Sequence, residues 1–199
     1  MTAIWPNIIS ALFLGYLLGS IPFGLLLTKA AGGGDIRDIG SGNIGATNVL
    51  RTGRKGLAAL TLLLDLLKGL AAVWLAQRYL PGAMSFAAAG AFFGHLYPVW
   101  LKFKGGKGVA TYAGILFGLF WEIGAAYAIT WVGALLIFRI SSVSGLLAAL
   151  MAPIAAAYFR QFELVPLLSV CTGIIFWKHQ ANIKNIINGT EPKIGKSKA

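Results

Sequence analysis

The chain has 199 residues, of which 57% are hydrophobic and only 12% charged, and its 17 lysines and arginines against 6 acidic residues give a net charge of +11. This composition excludes an ordinary soluble domain, in which about a quarter of residues are charged, and indicates an integral membrane protein. The basic residues stand in short groups between apolar segments, a pattern that argues against nucleic-acid binding and is typical of cytoplasmic membrane loops.

The apolar segments predict an all-α bundle of about seven transmembrane helices. Residues 1–28 carry no charged side chain, so the first segment lacks the basic start of a secretory signal and is interpreted as a retained anchor. Residues 109–138 are too long for one upright span and short for two, so we expect two short or tilted helices with a turn at 121–124. The predicted spans are residues 8–28, 56–77 and 84–101, two within 109–138, then 140–159 and 164–177.

The basic residues predict the orientation of this bundle. With the N-terminus outside and the C-terminus in the cytoplasm, only Arg78 and Arg160 lie in outer loops and Lys68 lies within a span. All other lysines and arginines then face the cytoplasm, whereas a six-span count would move Arg139 and the basic tail to the opposite side. We therefore predict one polytopic domain, residues 1–199, with cytoplasmic active-site loops at 29–55, 102–108, 139–144 and 178–199.

Three pairs of glycines predict close packing between helices. They are spaced by four residues in three different spans, which places each pair on one helix face where backbones can approach. The pattern indicates a bundle and carries no chemistry. The pairs are Gly15 and Gly19, Gly90 and Gly94, and Gly114 and Gly118.

The first basic loop, residues 35–51, combines glycines with hydroxyl and amide side chains, and we call it the serine loop. Gly40, Gly42 and Gly45 match the dinucleotide fingerprint by letter, but the βαβ context that the fingerprint needs is missing. Glycines still let backbone N–H groups approach an anion. The other interpretation is an ordinary flexible loop with a helix cap at Ser41 or Thr47, and this loop alone does not decide between them.

The second basic loop leads through Gly105, Gly106, Lys107 and Gly108 into an apolar segment, and we call these four residues the glycine turn. It is not a P-loop, because Gly108 stands where Ser or Thr would follow the lysine. It nevertheless places an ammonium group and backbone donors at a predicted helix N-terminus, where the helix dipole favours anions by about 0.3–1 kcal/mol. We favour an anion site over a lipid-facing basic turn that follows the positive-inside rule.

Two further pairs of polar residues are candidates on helical spacing. His179 and Asn182 share one helix face and could bind a hydroxyl or a phosphate, although such residues are also ordinary at an interfacial helix end. Asp65 and Lys68 lie at i and i+3 within a span, where a charge costs about 2.5–3.5 kcal/mol, so we predict an ion pair facing the bundle interior. That pair is either structural, the reading we favour, or a support for the serine loop from behind.

Catalysis by a nucleophile or a metal receives no support from the sequence. No histidine is followed five residues later by aspartate, so the His-x4-Asp pattern of the common glycerolipid acyltransferases is missing. Two histidines and the single Cys171 leave no convincing triad or metal cluster, and neither a metal nor a cofactor is expected. The predicted chemistry is positioning and charge stabilisation.

Taken together, these segments resemble the three signature regions of the bacterial acyl-phosphate:glycerol-3-phosphate acyltransferase, or PlsY, family. The matching stretches are GSGNIGATNVLR at 40–51, GHLYPVW with KGGKGVAT within 94–111, and the His-x-x-Asn pair at 179–182. The resemblance runs essentially from end to end, and Asp65-x-x-Lys68-Gly69 shares it. The tail after Asn182, with Gly189, Thr190 and Glu191, departs from the family pattern, which puts the role of the far tail in doubt.

The resemblance implies a seven-helix enzyme of the bacterial inner membrane with its active site facing the cytoplasm. Its substrates would be acyl-phosphate and glycerol 3-phosphate, with membrane lipid around it, and it allows a functional hand-off to other enzymes of phospholipid synthesis. Implied around glycerol 3-phosphate are Ser41, Arg51, Lys107, His179 and Asn182. Implied around the acyl-phosphate or beside it are Gly42, Asn43, Thr47, Asn48, Gly105, Gly106, Gly108 and Ser142.

Two questions stay open at this point. The proton of the sn-1 hydroxyl passes either to a phosphate oxygen of the donor, which is our hypothesis, or to His179 as general base. The alternative class of protein is a membrane transporter for a small organic phosphate, which would share a basic, glycine-rich site. Against the transporter, the candidate residues cluster near one membrane face and no inverted repeat is visible.

Overall fold

The computed structural model describes residues 4–194, and every regular element in that range is a helix. Residues 1–3 and 195–199, with Lys196 and Lys198 of the predicted basic tail, lie outside the described residues. Two short 3-10 helices cover Ile36–Asp38 and Val99–Leu101. The α-helices of the described range are α1 (Trp5–Gly19), α2 (Phe23–Ala30), α3 (Ala46–Leu50), α4 (Lys55–Tyr79), α5 (Met84–Leu96), α6 (Val109–Leu119), α7 (Trp121–Phe138), α8 (Ser141–Tyr158), α9 (Val165–Lys178) and α10 (Gln180–Ile187).

Several of these helices are long and apolar enough to cross a bilayer. The candidates by length and composition are four stretches of the described chain, Trp5–Ala30, Lys55–Tyr79, Trp121–Phe138 and Ser141–Tyr158, of 26, 25, 18 and 18 residues. A span of about 20 residues matches the hydrocarbon thickness of a bilayer. Helices α6 and α9 are apolar as well but shorter. The prediction of an all-α, multi-pass membrane protein is thereby confirmed.

Breaks in the helices occur at two places. Residues 109–138 form two short helices, as predicted, and the break between them is Phe120, which is extended (φ −158°, ψ 111°). The turn predicted at 121–124 is wrong, because these residues form the first turn of α7. The first predicted span is also broken, between α1 and α2, at Pro22, which has no N–H to continue the helix. The prediction of one continuous helix over residues 8–28 is therefore wrong at this point.

The chain divides after Leu119 into two compact units. In the first unit, α1 packs along α5 and α4 packs along α6. The backbones of α1 and α5 meet at their paired glycines: a methyl group on Gly15 would overlap the carbonyl of Ala87, and one on Gly90 would overlap the carbonyl of Leu12. This confirms the packing role predicted for these glycines.

Helices α4 and α6 approach each other in the same way. A methyl group on Gly114 would overlap the carbonyl of Leu66, and one on Gly69 would overlap the carbonyl of Thr111. Since Thr111 belongs to the first turn of α6, the start of α6 is held directly against α4. That start follows immediately after the glycine turn.

In the second unit, α8 packs against both α7 and α9. Thr172 on α9 donates its hydroxyl hydrogen to the carbonyl of Ala149 on α8 over 2.7 Å. Arg139 ends α7 in the left-handed conformation (φ 58°), and α8 begins two residues later. This corner places Ser142 in the first turn of α8.

Candidate functional site

One buried amide holds the serine loop in shape. Asn48, 1% exposed, donates from Nδ2 to the carbonyls of Ile36, Ile39 and Asn43 over 2.8–2.9 Å. Its Oδ1 accepts from the backbone N–H of Ser41 at 3.1 Å. All of its amide capacity is therefore used within the loop. The side chain of Asn48 thus fixes the position of the Ser41 backbone, and the contact of Asn48 with the acyl-phosphate stays a prediction.

The remaining predicted residues of the serine loop stand at its surface. Ser41, Gly42, Thr47 and Arg51 are exposed. The partly buried Asn43 accepts from the Gly45 N–H over 2.9 Å and closes a tight turn just before α3. The fold thus presents hydroxyl groups and a guanidinium outward from a loop fixed from inside.

The helix that begins in this loop, α3, has Gly45 at its N-cap and no side-chain cap. The alternative that Ser41 or Thr47 serves as a helix cap is therefore wrong. Gly40 adopts a φ of +60°, and a methyl group there would lie 2.5 Å from Asn48 Oδ1. Glycine is required at position 40 by both its conformation and its contact.

The entrance to the serine loop is an exposed ion pair. Asp35 accepts from the Arg37 guanidinium at 2.6 and 2.9 Å and caps the 3-10 helix by accepting from the Arg37 N–H at 3.0 Å. These bonds hold the pKa of Asp35 well below its usual value and raise the pKa of Arg37. Lys29 lies 3.8 Å from the same carboxylate. The guanidinium of Arg37 is thereby paired, and the exposed Arg51 is the arginine that this loop offers to a ligand.

The glycine turn folds back on the end of α5. The N–H groups of Gly105 and Gly106 donate to the carbonyls of Leu96 and His95 over 3.1 and 3.0 Å. A methyl group on Gly106 would overlap the imidazole of His95. The first two glycines are thus explained by this close packing, and their N–H groups are not directed at a ligand, which revises the prediction that the whole turn cradles a phosphate through its backbone.

The second half of the glycine turn retains the predicted geometry. Gly108 has a φ of +88°, its carbonyl accepts the first bond of α6 from Tyr112 over 2.7 Å, and α6 begins at Val109. Lys107, partly buried, therefore stands directly before a helix N-terminus, where backbone donors and the helix dipole favour an anion.

Behind the glycine turn lies the predicted ion pair. Lys68 Nζ is 2.7 Å from Asp65 Oδ1, with side chains 2% and 3% exposed, so the prediction of a pair facing the interior is confirmed. Lys68 also donates to the carbonyl of Ile21 over 2.8 Å, at the break between α1 and α2. His95 Nδ1 lies 3.8 Å from the same oxygen of Asp65. We call Asp65, Lys68 and His95 the ion-pair cluster.

In the second unit, His179 and Asn182 are both buried, at 3% and 8% exposure. Nδ1 of His179 lies 2.8 Å from the carbonyl of Ile175. A carbonyl can only accept, so Nδ1 carries the hydrogen, and in the neutral ring Nε2 is then the basic nitrogen. This tautomer suits acceptance of a hydroxyl proton or of a hydroxyl hydrogen bond.

A single carboxylate, which the sequence analysis did not select, organises this group. Glu191 accepts from Ser142 Oγ at 2.7 Å, from Asn182 Nδ2 at 2.6 Å and from Asn185 Nδ2 at 3.3 Å. It lies against the first turn of α8, where the helix dipole stabilises a negative charge. We call these four residues the Glu191 cluster. The cluster unites Ser142 and Asn182, two predicted site residues, and gives the tail after Asn182 a structural role.

The tail is held at a second point beyond Glu191. The N–H of Ile194 donates to the carbonyl of Arg139 over 2.7 Å, and the Arg139 guanidinium reaches the carbonyl of Ile194 at 3.4 Å. No local spacing in the sequence links the tail to the corner between α7 and α8, so this contact could not be predicted from a motif. The high polarity of residues 188–193 is the one sequence feature that agrees with it.

Comparisons with known proteins show the family of this chain. The family model described as glycerol-3-phosphate acyltransferase matches residues 9–189. Glycerol-3-phosphate acyltransferase of Erythrobacter litoralis is 59% identical over 185 residues, covering 93% of this chain and 94% of the relative. That of Mesorhizobium japonicum is 58% identical over 189 residues, covering 95% and 97%.

Two solved structures are similar in fold. One is the crystal structure of PlsY, an integral membrane glycerol 3-phosphate acyltransferase, in its glycerol 3-phosphate form, with a TM-score of 0.89, 32% identity and coverage of 94% of this chain and 96% of that one. The other is the same enzyme in its lysophosphatidic acid form, with a TM-score of 0.84, 31% identity and coverage of 94% and 95%.

Proposed function

The chain belongs to the PlsY family of integral membrane glycerol-3-phosphate acyltransferases, and we propose that it moves a fatty acyl group from acyl-phosphate to the sn-1 hydroxyl of glycerol 3-phosphate. In this reaction the sn-1 oxygen attacks the acyl carbonyl carbon, and the bond from that carbon to the phosphate oxygen breaks. The products are 1-acylglycerol 3-phosphate and inorganic phosphate.

The observation that carries this proposal is the position of Lys107 directly before the N-terminus of α6. A mixed anhydride is already activated, since phosphate is a good leaving group, so the enzyme needs no nucleophile of its own. What it needs is a fixed positive charge to balance the negative charge on the phosphates and on the departing oxygen. Lys107 and the start of α6 provide that charge in the first unit.

The other residues receive roles according to their chemistry. We propose that Arg51, whose planar guanidinium can form two parallel bonds, binds a phosphate group together with Ser41 and Thr47. In the second unit, Nε2 of His179 and the amide of Asn182 are suited to the hydroxyl groups of glycerol 3-phosphate.

The proton of the sn-1 hydroxyl goes, in our hypothesis, to a phosphate oxygen of the donor and leaves with inorganic phosphate. The rival is His179 as general base, and the Nδ1–H tautomer held by the Ile175 carbonyl is compatible with it. The variant His179→Gln separates the two. If it keeps most of its turnover at saturating substrate, His179 is not the base; if turnover collapses while both substrates still bind, the hypothesis of proton transfer to the donor is wrong.

The first experiment measures lysophosphatidate formation by the purified protein from labelled glycerol 3-phosphate, with palmitoyl-phosphate, palmitoyl-CoA or palmitoyl-carrier protein offered in parallel. We expect product with palmitoyl-phosphate only, and a loss of about 100-fold or more in Lys107→Ala, because a charge that balances phosphate is removed. Arg78→Ala, a change of an exposed basic residue in the last turn of α4, is the control. Product with a different donor would overturn the proposed substrate.

We also propose seven spans, with the N-terminus outside and the active site on the cytoplasmic side of the bacterial inner membrane. The supporting observations are the positive-inside pattern of the loops and the helical segments of the described chain. In a background that lacks the buried Cys171, the single-cysteine variants Gln161→Cys and Lys55→Cys test this orientation. A membrane-impermeant thiol reagent should label position 161 in intact cells and position 55 only after permeabilisation; the reverse pattern would invert the topology.

A further inference from the structure

The ion-pair cluster places two opposite charges deep in the first unit. Asp65 and Lys68 have side chains only 3% and 2% exposed. A charge inside a bilayer costs about 2.5–3.5 kcal/mol on insertion scales, and apolar residues of similar size often serve stability as well as a buried pair does. The contacts of the cluster with its neighbours therefore indicate a role beyond stability.

On one side the cluster reaches the support of the serine loop. Lys68 donates to the carbonyl of Ile21 at the start of α2. Within α2, a methyl group on Gly24 would overlap the carbonyl of Ile44, which belongs to the serine loop, and would lie 3.0 Å from Thr61 Cγ2 on α4. Helix α2 is thus held between α4 and the serine loop, and Lys68 fixes its beginning.

On the other side the cluster reaches the glycine turn. Asp65 Oδ1 lies 3.8 Å from His95 Nδ1. The opposite edge of the same imidazole faces Gly106, where a methyl group would lie 2.7 Å from Cε1 and 3.0 Å from Cδ2 and would overlap Nε2. The residue after Gly106 is Lys107. A continuous line of contacts therefore runs from Asp65 through the ring of His95 to the glycine turn.

We infer that Asp65, Lys68 and His95 are positioning residues that fix the glycine turn, and with it Lys107, relative to the serine loop. This inference rests on the roles proposed above for Lys107, Ser41 and Arg51. The pair holds α2 behind the serine loop through Lys68, and it holds the ring that backs Gly106 through Asp65. Displacing reacting groups by about 1 Å costs on the order of 100-fold in rate, so loss of the cluster should reduce catalysis in protein that still folds.

The first test compares Asp65→Asn with the double variant Asp65→Leu/Lys68→Met, in which neither charge remains unpaired. Arg78→Met, at the exposed end of the same helix, is the control. We expect the double variant to be extracted as folded protein with kcat/KM lowered by about 10- to 100-fold, and Arg78→Met to be unchanged. A folded double variant with full activity would overturn the inference and leave the pair a structural feature.

The second test asks whether the ring of His95 connects Asp65 to the glycine turn. Gly106→Ala alone should lower kcat/KM by about 10-fold or more, because its methyl group meets the imidazole. In a His95→Ala background the same change should cost less than about 3-fold, because contacting residues couple. Gly56→Ala, where the added methyl group meets open space on α4, is the matched control. Additive losses at positions 95 and 106 would overturn the proposed line of contacts.

A third measurement does not depend on the acyl donor. Amide hydrogen exchange of Gly105 and Gly106, whose N–H groups bond to the end of α5, should accelerate in Asp65→Asn while that of α8 stays unchanged. Faster exchange of amides throughout the protein would mean that Asp65→Asn affects only overall stability. If Lys107→Ala is fully active, the proposed role of Lys107 fails by itself; if Lys107→Ala is inactive but the exchange of Gly105 and Gly106 is unaffected by Asp65→Asn, the positioning inference alone fails.

Discussion

The serine loop and the Glu191 cluster both hold predicted site residues, but they do so in opposite ways. In the serine loop, the buried amide of Asn48 bonds only to neighbours within 12 residues, and Ser41 and Arg51 stand exposed on the finished loop. In the Glu191 cluster, one carboxylate reaches Ser142, 49 residues earlier, and Ser142 and Asn182 are themselves buried.

The difference shows two ways in which a fold can position site residues. A local amide network gives the backbone one shape and leaves the side chains of Ser41 and Arg51 exposed, with the Ser41 hydroxyl donating to Asn48 Oδ1 at 3.4 Å. A shared carboxylate fixes the side chains themselves and joins α8, α10 and the tail. Substitutions that break the Asn48 network should remove activity through the serine loop. Substitutions that break the Glu191 cluster should reduce both activity and the stability of the second unit.

The largest effect is expected from Asn48→Leu, which leaves three carbonyls and the Ser41 N–H without their partner. Each unsatisfied buried group costs about 1–3 kcal/mol when no water replaces the bond, so we expect about 3 kcal/mol of lost stability in the serine loop and about 100-fold lower kcat/KM. Thermal unfolding in detergent and steady-state kinetics measure the two effects. Activity close to that of the parent would show that the amide does not position Ser41.

A smaller effect is expected from the Glu191 variants. Glu191→Leu removes the acceptor of Ser142, Asn182 and Asn185 and should cost about 2 kcal/mol, whereas Glu191→Gln keeps one acceptor oxygen and should cost about 1 kcal/mol. The KM for glycerol 3-phosphate should rise in the same order, because Asn182 loses its orientation. Equal behaviour of the two variants would indicate that the negative charge, not the hydrogen bonds, holds the cluster.

Gly40→Ala should have a more moderate effect, and Gly53→Ala provides its control. Both glycines have positive φ, at +60° and +80°, so both variants pay about 1 kcal/mol for the left-handed conformation. Only the methyl group at position 40 meets Asn48 Oδ1, while position 53 is open. Activity should therefore fall in Gly40→Ala alone. Similar losses in both variants would mean that the backbone conformation, and not the contact with Asn48, explains the glycine.

The smallest effect is expected from Asp35→Asn at the entrance of the serine loop. Exposed ion pairs contribute about 0–1 kcal/mol, so stability at neutral pH should change little. Because the folded pKa of Asp35 is lowered, its contribution is complete above the unfolded value of about 3.8 and is lost as the pH falls below that value. The parent and the variant should therefore converge in unfolding temperature below about pH 4. A difference that grows towards acid would contradict this sign.

The sequence predicted those features whose partners are close in the chain or repeat with a helical period. The ion pair of Asp65 and Lys68 followed from spacing by three residues, and the paired glycines of α1 and α5 followed from spacing by four. The division of residues 109–138 into two short helices followed from the length of the apolar stretch, although the break lies at Phe120 and not at the predicted 121–124. In each case, helix geometry converts a short distance in sequence into a contact or an interruption.

The remaining features depend on partners that no local pattern indicates. Asn48 looked like a ligand contact because an amide in a glycine-rich loop suits an anion, but three carbonyls of the folded loop take its hydrogens. Gly105 and Gly106 looked like an anion cradle, but their closest neighbours are the end of α5 and His95. Glu191 was passed over because its partners lie up to 49 residues away.

The contact of Lys68 with the break between α1 and α2 also has a consequence for biosynthesis. Both acceptors of the ammonium group, the carbonyl of Ile21 and the carboxylate of Asp65, precede Lys68 in the chain. As the ribosome makes the protein from its N-terminus, the carbonyl of Ile21 is made before α4, and Asp65 enters the membrane together with Lys68 on that helix, so the cost of an unpaired charge in lipid is avoided. A nascent chain that lacks α1 and α2 should integrate α4 less efficiently, and the double change Asp65→Leu/Lys68→Met should restore that integration.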